Sequence, residues 1–492
     1  MIVVFLLLFL ACRIDLHAAV RLPVVFGDGM VLQHGRPVPV WGDAAPGEAI
    51  SLSVGGKPAA SCVADGSGQW RTVLPAMQPG PVGDLAIEGK NQIVLKNILA
   101  GEVWLCSGQS NMRMPVGRDA HFNGVLNWER EVRDANHPGL RFFDGTWKVC
   151  SPKTAGEAYA VAYFFGRDLH RDLNMPVGLL EAAVGGSPIE AWVAPAVWTD
   201  DLKRRCVEAY RPEYAVRMEE YRKSVDGWEQ AVKQAAEQGT SPPKQPNPPG
   251  SPEAYPARAS ALYNRLIQPL APYAVRGVLW YQGETNAWRI EPYRDLLALL
   301  ISGWREQWSD PDMPFLIVQL ANWGQAEKHT RAAGRWPELR AMQADVARNT
   351  PHCSLITTLD VGDTVDLHPP NKQEVGRRAA LAALQSVYGK DLLARGPEPT
   401  AVKWTPGGAR ITFDHTGAAL TLDAPQGGFE LAGNDGKFFP AEARVDGPTV
   451  ILSASEIRGV PRQVRYAWKD DPTGLLHNSE NLPAPPFRRE RE

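Results

Sequence analysis

A chain of 492 residues is too long for one ordinary domain and points to about two to four. At 44% hydrophobic and 22% charged it has ample core material, and a formal net charge of −3 gives no reason to expect nucleic acid or an anionic membrane surface as a partner. The sixteen tryptophans are many for this length; some belong in a core, and a surplus also suits stacking on sugar rings.

The chain opens with MIVVFLLLFLACRIDLHAAV. Its apolar run is too short to span a bilayer and has the form of an export-signal core, with small residues for cleavage near Ala18 or Ala19. Residues 1–19 are therefore expected to be a signal peptide that sends the protein to the periplasm or outside the cell. The usual positive charges ahead of the core are missing, and FLAC, ending at Cys12, is an imperfect lipoprotein site, which leaves lipid anchoring as the alternative. No later segment reads as a membrane span.

Residues 20–100 hold short runs that alternate apolar and polar, such as AISLSVGG and NQIVLKN, broken by Gly, Asp and Pro. That is the pattern of an antiparallel β domain. From EVWLCSGQ the texture changes. Continuous apolar strands (PVGLLEAAV, VRGVLWYQ, PFLIVQLANW, SLITTLDV) alternate with helices at 158–173, 292–308, 336–348 and 371–389. Strands apolar throughout predict a parallel sheet covered on both faces, so residues 101–395 are expected to form a three-layer, flavodoxin-like α/β domain. A charged segment of helical spacing followed by the Pro-rich SPPKQPNPPGSPEAYP interrupts it at about 199–256. It reads as a solvated helix with an extended tether, a lid or a partner surface being the alternative. Residues 396–492 return to short alternating runs and are expected to be a second β module. The six cysteines (12, 62, 106, 150, 206, 353) show no CxxC spacing; without Cys12 an odd number remains, which argues against a zinc site and for mostly free buried thiols.

Ligands gather at the carboxyl ends of parallel strands. Four strand-end loops carry polar residues: Gln109-Ser110-Asn111, Gly185-Gly186-Ser187, Gly283-Glu284-Thr285-Asn286, and DTVDLHPPNK with Asp366 and His368. A serine hydroxyl needs a base to take its proton, usually a histidine held by a carboxylate. Asp366 and His368 are two apart, so in extended backbone they point the same way. The oxyanion of an acyl-transfer intermediate needs donors; the candidates are the Ser110 N–H, an N–H at Gly185 or Gly186, and the Asn286 amide. Each feature also has a plain reading: GQSN and GGS as turns, His368 as a helix-capping histidine, Asn286 as a cap. All four loops on one rim favour chemistry.

GQSN, GGSPIEAW, WYQGETN and DLHPPNKQEVGRR together resemble the conserved blocks of the SGNH hydrolases, and more closely the sialate O-acetylesterase family of carbohydrate esterases, itself similar to some acetyl-xylan esterases. VFGDGMVLQHGRPVPVWG near the start and LPAPPFR near the end extend the resemblance over nearly the whole chain. It implies a secreted or lysosomal serine esterase that releases acetate from O-acetylated sugars without metal or cofactor, with no partner protein specified. Residue by residue, it implies Ser110 as nucleophile, His368 as general base and Asp366 as its orienting carboxylate. The oxyanion hole would be the Ser110 amide, Gly186 and Asn286, and Gln109, Gln282 and Glu284 would have structural or substrate-positioning roles. Arg265 stands where such sequences commonly have a small residue, and Thr285 where serine is common. An acetyl-xylan or other polysaccharide esterase, or an inactive carbohydrate-binding protein, are the alternatives.

Overall fold

A computed structural model describes residues 19–254, 259–325, 335–425 and 427–491. The expected signal peptide up to Ala18, with Cys12, lies outside the described residues. Six short strands come first: β1 (Val31–Gln33), β2 (Val38–Asp43), β3 (Ala49–Val54), β4 (Lys57–Val63), β5 (Gln69–Leu74) and β6 (Gly80–Glu88). β3 pairs antiparallel with β4 and β6, and β2 pairs with β5. The next strand, β7 (Gln92–Gly108), is seventeen residues long. Its first part pairs antiparallel with β6 and is only partly covered, while every residue from Ala100 to Gly108 is buried. One strand thus carries the chain from a half-exposed antiparallel sheet into a parallel one, and residue 100, where the sequence changes texture, falls inside it.

Six more strands complete that sheet: β8 (His137–Phe143), β9 (Trp147–Cys150), β10 (Val177–Ala183), β11 (Gly277–Tyr281), β12 (Phe315–Val318) and β13 (Cys353–Ile356). The hydrogen-bonded order is β13-β12-β11-β7-β10-β8-β9, with parallel pairings except at β9, which runs antiparallel to β8. β7 lies between β10 and β11, so the connections depart to opposite sides of it. Such a reversal opens a crevice at the strand carboxyl ends.

The helices follow in chain order: α1 (Ser110–Arg113), α2 (Trp128–Arg133), α3 (Ala160–Leu173), α4 (Asp200–Gln238), α5 (Tyr293–Trp308), α6 (Arg335–Asn349) and α7 (Lys372–Ser386). Alternate strand residues enter different cores, as the period of two requires. Leu105, Trp280 and Ile317 join α5 and α6 through Leu296, Trp304 and Leu339. Trp104, Leu279 and Leu316 join α3 and α7 through Phe164, Phe165 and Ala383. Trp280 meets Trp192 and Trp304 edge-on at ring separations of 5.9 and 5.8 Å. None of the sixteen tryptophans lies open on the surface, so their abundance is a packing feature before it is a sugar-binding one.

The charged segment forms one helix of 39 residues. The Thr199 side chain accepts the Leu202 N–H at its start, and Gly239 ends it with φ of 64°. Leu202, Cys206, Tyr210 and Glu213 are buried along one face of its first half, and only Ala235 is buried beyond them. The C-terminal strands form two four-stranded antiparallel sheets, Glu398–Thr405 and Gly408–Asp414 with Thr449–Ser453 and Glu442–Asp446, and Phe438–Pro440 and Phe429–Ala432 with Gln463–Tyr466 and Phe487–Glu490. Fully buried Arg340 of α6 donates to the Lys469 and Asp470 carbonyls at 2.9 and 2.8 Å, which fastens this region to the α/β portion. All five described cysteines are free thiols.

Candidate active site

The four loops singled out in the sequence follow β7, β10, β11 and β13, and the first and last of them meet at Ser110. β7 ends at Gly108, whose φ is +143°. A Cβ there would run into the Tyr281 carbonyl of β11, so only glycine lets the strands approach this closely before the turn. The Gln109 N–H donates to that carbonyl at 3.0 Å, and α1 starts at once, placing Ser110 at its first position, 8% exposed. The Ser110 hydroxyl lies 2.9 Å from His368 Nε2. The edge of the His368 ring stacks against Phe122 at 5.1 Å and 85°. Two residues 258 apart in sequence thus share a hydrogen bond.

His368 is held from both sides. Asn111, next to Ser110, donates to the Leu367 carbonyl at 3.1 Å. Asp363 closes an Asx turn by accepting the N–H groups of Val365 and Asp366 at 2.7 and 2.8 Å. Asp366 accepts the His368 backbone N–H at 2.8 Å, and its carboxylate stands 3.9 Å from Nδ1 of the ring. That is an ion-pair separation to an imidazolium, longer than a hydrogen bond. Burial lowers the His368 pKa, the Lys372 charge lowers it further, and Asp366 opposes both.

The expected oxyanion donors are distributed unequally. A Cβ on Gly185 would sit 3.7 Å from the Ser110 Cβ, so this glycine faces Ser110, whereas Gly186, at φ +66°, borders open space. Asn286 is fully buried. Its carbonyl oxygen accepts the Ile189 N–H at 2.9 Å and the Gln282 amide at 2.8 Å, and its NH₂ donates to Glu190 at 3.0 Å. One of its two amide hydrogens is thereby used, and the other is what it has left for a substrate.

Gln109, Gln282 and Glu284 are buried and turned toward the protein. Gln109 accepts the backbone N–H groups of Gly283 and Thr285, and the Gln282 carbonyl accepts from Tyr293 and Gln343. Glu284 accepts the Asn111 amide at 2.5 Å, and burial raises its pKa. Two participants were not singled out from sequence. Lys372, fully buried at the start of α7, donates to the Asn111 carbonyl oxygen at 2.6 Å and has its pKa pulled down to about 7 by burial, against the pull of Glu284 and Asp366. Glu190 accepts from Asn286 and from Arg289, 3.2 Å away. Both stand inside quoted blocks, NK after the histidine and SPIEAW after the glycines; Glu190 was signalled as the one charged residue of GGSPIEAW, whereas Lys372 stands among other charges in DLHPPNKQEVGRR and had no such signal. Arg265 lies in a short π-helical turn, Tyr263–Ile267. Among the described residues, no group of three His, Cys, Asp or Glu side chains is placed to hold a metal ion.

Beside Gly186 opens a cavity of about 310 Å³, bordered by Glu190, Thr285 and Arg289 and closed on its far side by Tyr210, Glu213 and Arg217 of α4. A serine paired with a histidine at a strand-end rim suits attack on an ester.

Three comparisons bear on this arrangement. Residues 250–385, which hold Asn286, Asp366 and His368, match the family model for carbohydrate esterase, sialic acid-specific acetylesterase. The chain is 29% identical to the sialate O-acetylesterase of Rattus norvegicus, over 86% of this chain and 84% of the relative, and 27% identical to that of Homo sapiens, over 91% and 88%. A carbohydrate acetylesterase from Xanthomonas citri superposes with a TM-score of 0.79 at 32% identity, covering 96% of this chain and all of that one. The chain belongs to the sialate O-acetylesterase family of carbohydrate esterases. It is a carboxylic ester hydrolase, and its α/β fold with a parallel sheet is shared with the Xanthomonas citri enzyme. No helix among the described residues is long and apolar enough to cross a membrane.

Proposed function

We propose that this family member is an exported sialate O-acetylesterase that removes acetyl groups from O-acetylated sialic acids by a serine acyl-enzyme mechanism. The observation that carries the reading is the 2.9 Å contact between Ser110 Oγ and His368 Nε2 at the strand-end rim. Ser110 attacks the acetyl carbonyl while His368 takes its proton. A depressed His368 pKa keeps the ring neutral, ready to accept that proton, down to a lower pH. The oxyanion forms between the Ser110 and Gly186 amides and the remaining Asn286 N–H. The intermediate collapses to an acetyl-serine and the sugar hydroxyl leaves with the proton from His368. Water, deprotonated by the same ring, then releases acetate. Asp366, 3.9 Å from Nδ1, stabilises the imidazolium as it forms and orients the ring through the backbone turn.

In this reading residues 101–395 are a three-layer SGNH-hydrolase domain interrupted at about 199–256, flanked by β-rich portions at 20–100 and 396–492, and residues 1–19 are the export signal. Acetate release from O-acetylated sialic acid, beside acetylated xylan and 4-nitrophenyl acetate, tests the assignment. Ser110→Ala is expected to lower every such activity by about 10³-fold or more. Activity retained in that variant excludes the mechanism, and turnover of acetylated xylan alone excludes the sialate reading.

A further inference from the structure

The cavity bordered by Gly186, next in sequence to the glycine that faces Ser110, is larger than an acetyl group needs. An acetyl group has three heavy atoms, whereas about 310 Å³ lies at the small end of the usual range for ligand pockets. Its far wall is built by a segment outside the sheet. α4 buries Leu202, Cys206, Tyr210 and Glu213 at helical spacing, and it is fastened by Arg205 to Asp295 of α5 at 2.8 Å and by the Tyr210 hydroxyl to the Gly250 carbonyl at 3.0 Å. A helix docked only along its first half places that half against the site.

The charges on this wall are ordered by depth. Glu190 and Glu213 are buried, at 2% exposure each, and both pair with the buried Arg289, which also lies over the Tyr210 ring at 5.4 Å. Glu190 takes a further hydrogen bond from Asn286, so the deepest carboxylates are satisfied within the protein. Arg217 lies one helical turn beyond Glu213 and pairs with it at 2.7 Å, yet its side chain stays 47% exposed on the cavity lining. A guanidinium carries five N–H donors in a planar fork, more than one carboxylate oxygen can use, and that fork matches a second carboxylate. The outermost charge on the far wall is thus a cation with donors to spare, while the inner charges are neutralised.

We propose that this cavity is the sugar subsite, that the first half of α4 is its specificity wall, and that Arg217 pairs with the carboxylate of an acidic acetylated sugar. The proposal rests on the esterase reading of Ser110, and it adds the residue that would distinguish a sugar acid from a neutral sugar.

The test compares kcat/KM for O-acetylated sialic acid, for an acetylated neutral methyl xyloside and for 4-nitrophenyl acetate in the full chain and in two variants. Arg217→Met keeps the aliphatic stem and removes the charge. The ratio of sialate to 4-nitrophenyl acetate activity is expected to fall at least tenfold, through KM, while the ratio of xyloside to 4-nitrophenyl acetate activity stays within twofold, and Arg217→Lys is expected to restore part of the lost ratio. Ala261→Trp, which adds bulk at a lining position that is not itself a member of the ion pairs, is expected to lower both sugar ratios. Equal falls for acidic and neutral sugars in Arg217→Met, or an unchanged sialate ratio, overturn the carboxylate assignment. Sugar ratios unaffected by Ala261→Trp overturn the subsite. Hydrolysis of 4-nitrophenyl acetate that depends on Ser110 in a protein inert toward O-acetylated sialic acid overturns this proposal and leaves the esterase reading standing; loss of hydrolysis of all three esters in the unmodified protein overturns both.

Discussion

The two sides of the rim are built from different materials. On the Ser110 side, Ser110, Asn111, Glu284, His368 and Lys372 come from three strand-end loops and the start of α7, and they are joined by short hydrogen bonds with few formal ion pairs. On the opposite side Glu190, Arg289, Glu213 and Arg217 alternate in sign, and α4 supplies two of the four. Burial on the first side is uncompensated enough to move the titrations of Lys372 and Glu284, while on the second each buried charge has an opposite partner. In the reading proposed above, the comparison teaches a division of labour: the side whose protonation is tuned sets rate and pH, and the side whose inner charges are neutralised leaves the exposed Arg217 to select the substrate.

The largest way to break this comparison is at Glu213. Replacing it by glutamine leaves the buried Arg289 with one carboxylate fewer, and breaking a buried pair in this way costs about 3 kcal/mol. Urea denaturation should show that loss, with the docking of α4 as its seat. Next comes Asp366→Asn. Because the carboxylate is half-exposed and 3.9 Å from Nδ1, we expect kcat to fall by about tenfold, well short of the loss in Ser110→Ala, measured with 4-nitrophenyl acetate at pH 7.

A smaller effect is expected from Lys372→Met. Below about pH 7 Lys372 is charged and opposes a second positive charge on His368. Removing it raises the His368 pKa, so the acid limb of kcat/KM against pH should move to higher pH. A limb that stays in place or moves down would detach Lys372 from the proton-accepting step. The smallest effect belongs to the distal half of α4. Lys223 pairs with Glu219 on the exposed face at 2.9 Å, and Lys223→Ala should change stability by no more than about 0.5 kcal/mol and leave the sugar ratios alone. A fall in those ratios would extend the specificity wall beyond Arg217.

Much of the scaffold was readable from local pattern. The buried runs LLEAAV and GVLWY could only be strands covered on both faces, and the helices at 160–173, 293–308 and 372–386 fall where apolar spacing of three and four placed them. The strand-end rule then located the four loops. It did not separate their roles: Asn286 and Glu284 read equally well as substrate contacts or as internal ties, because a side chain's direction at a strand end depends on neighbours from other loops. Nor did it join the first strands to the parallel sheet. The alternation in NQIVLKN stops at residue 99 because β7 passes from one covered face to two, and the strand itself continues.

Sequence by itself therefore determined the elements, their order and the chemistry on offer at each strand end, since periodicity and motif composition are local properties. Tertiary structure decided the 2.9 Å approach of His368 to Ser110, the burial that lowers the Lys372 pKa, and the use of one face of a charged helix as a cavity wall. These are contacts between residues tens to hundreds apart. They depend on which surfaces the sheet brings together, and no local pattern records that.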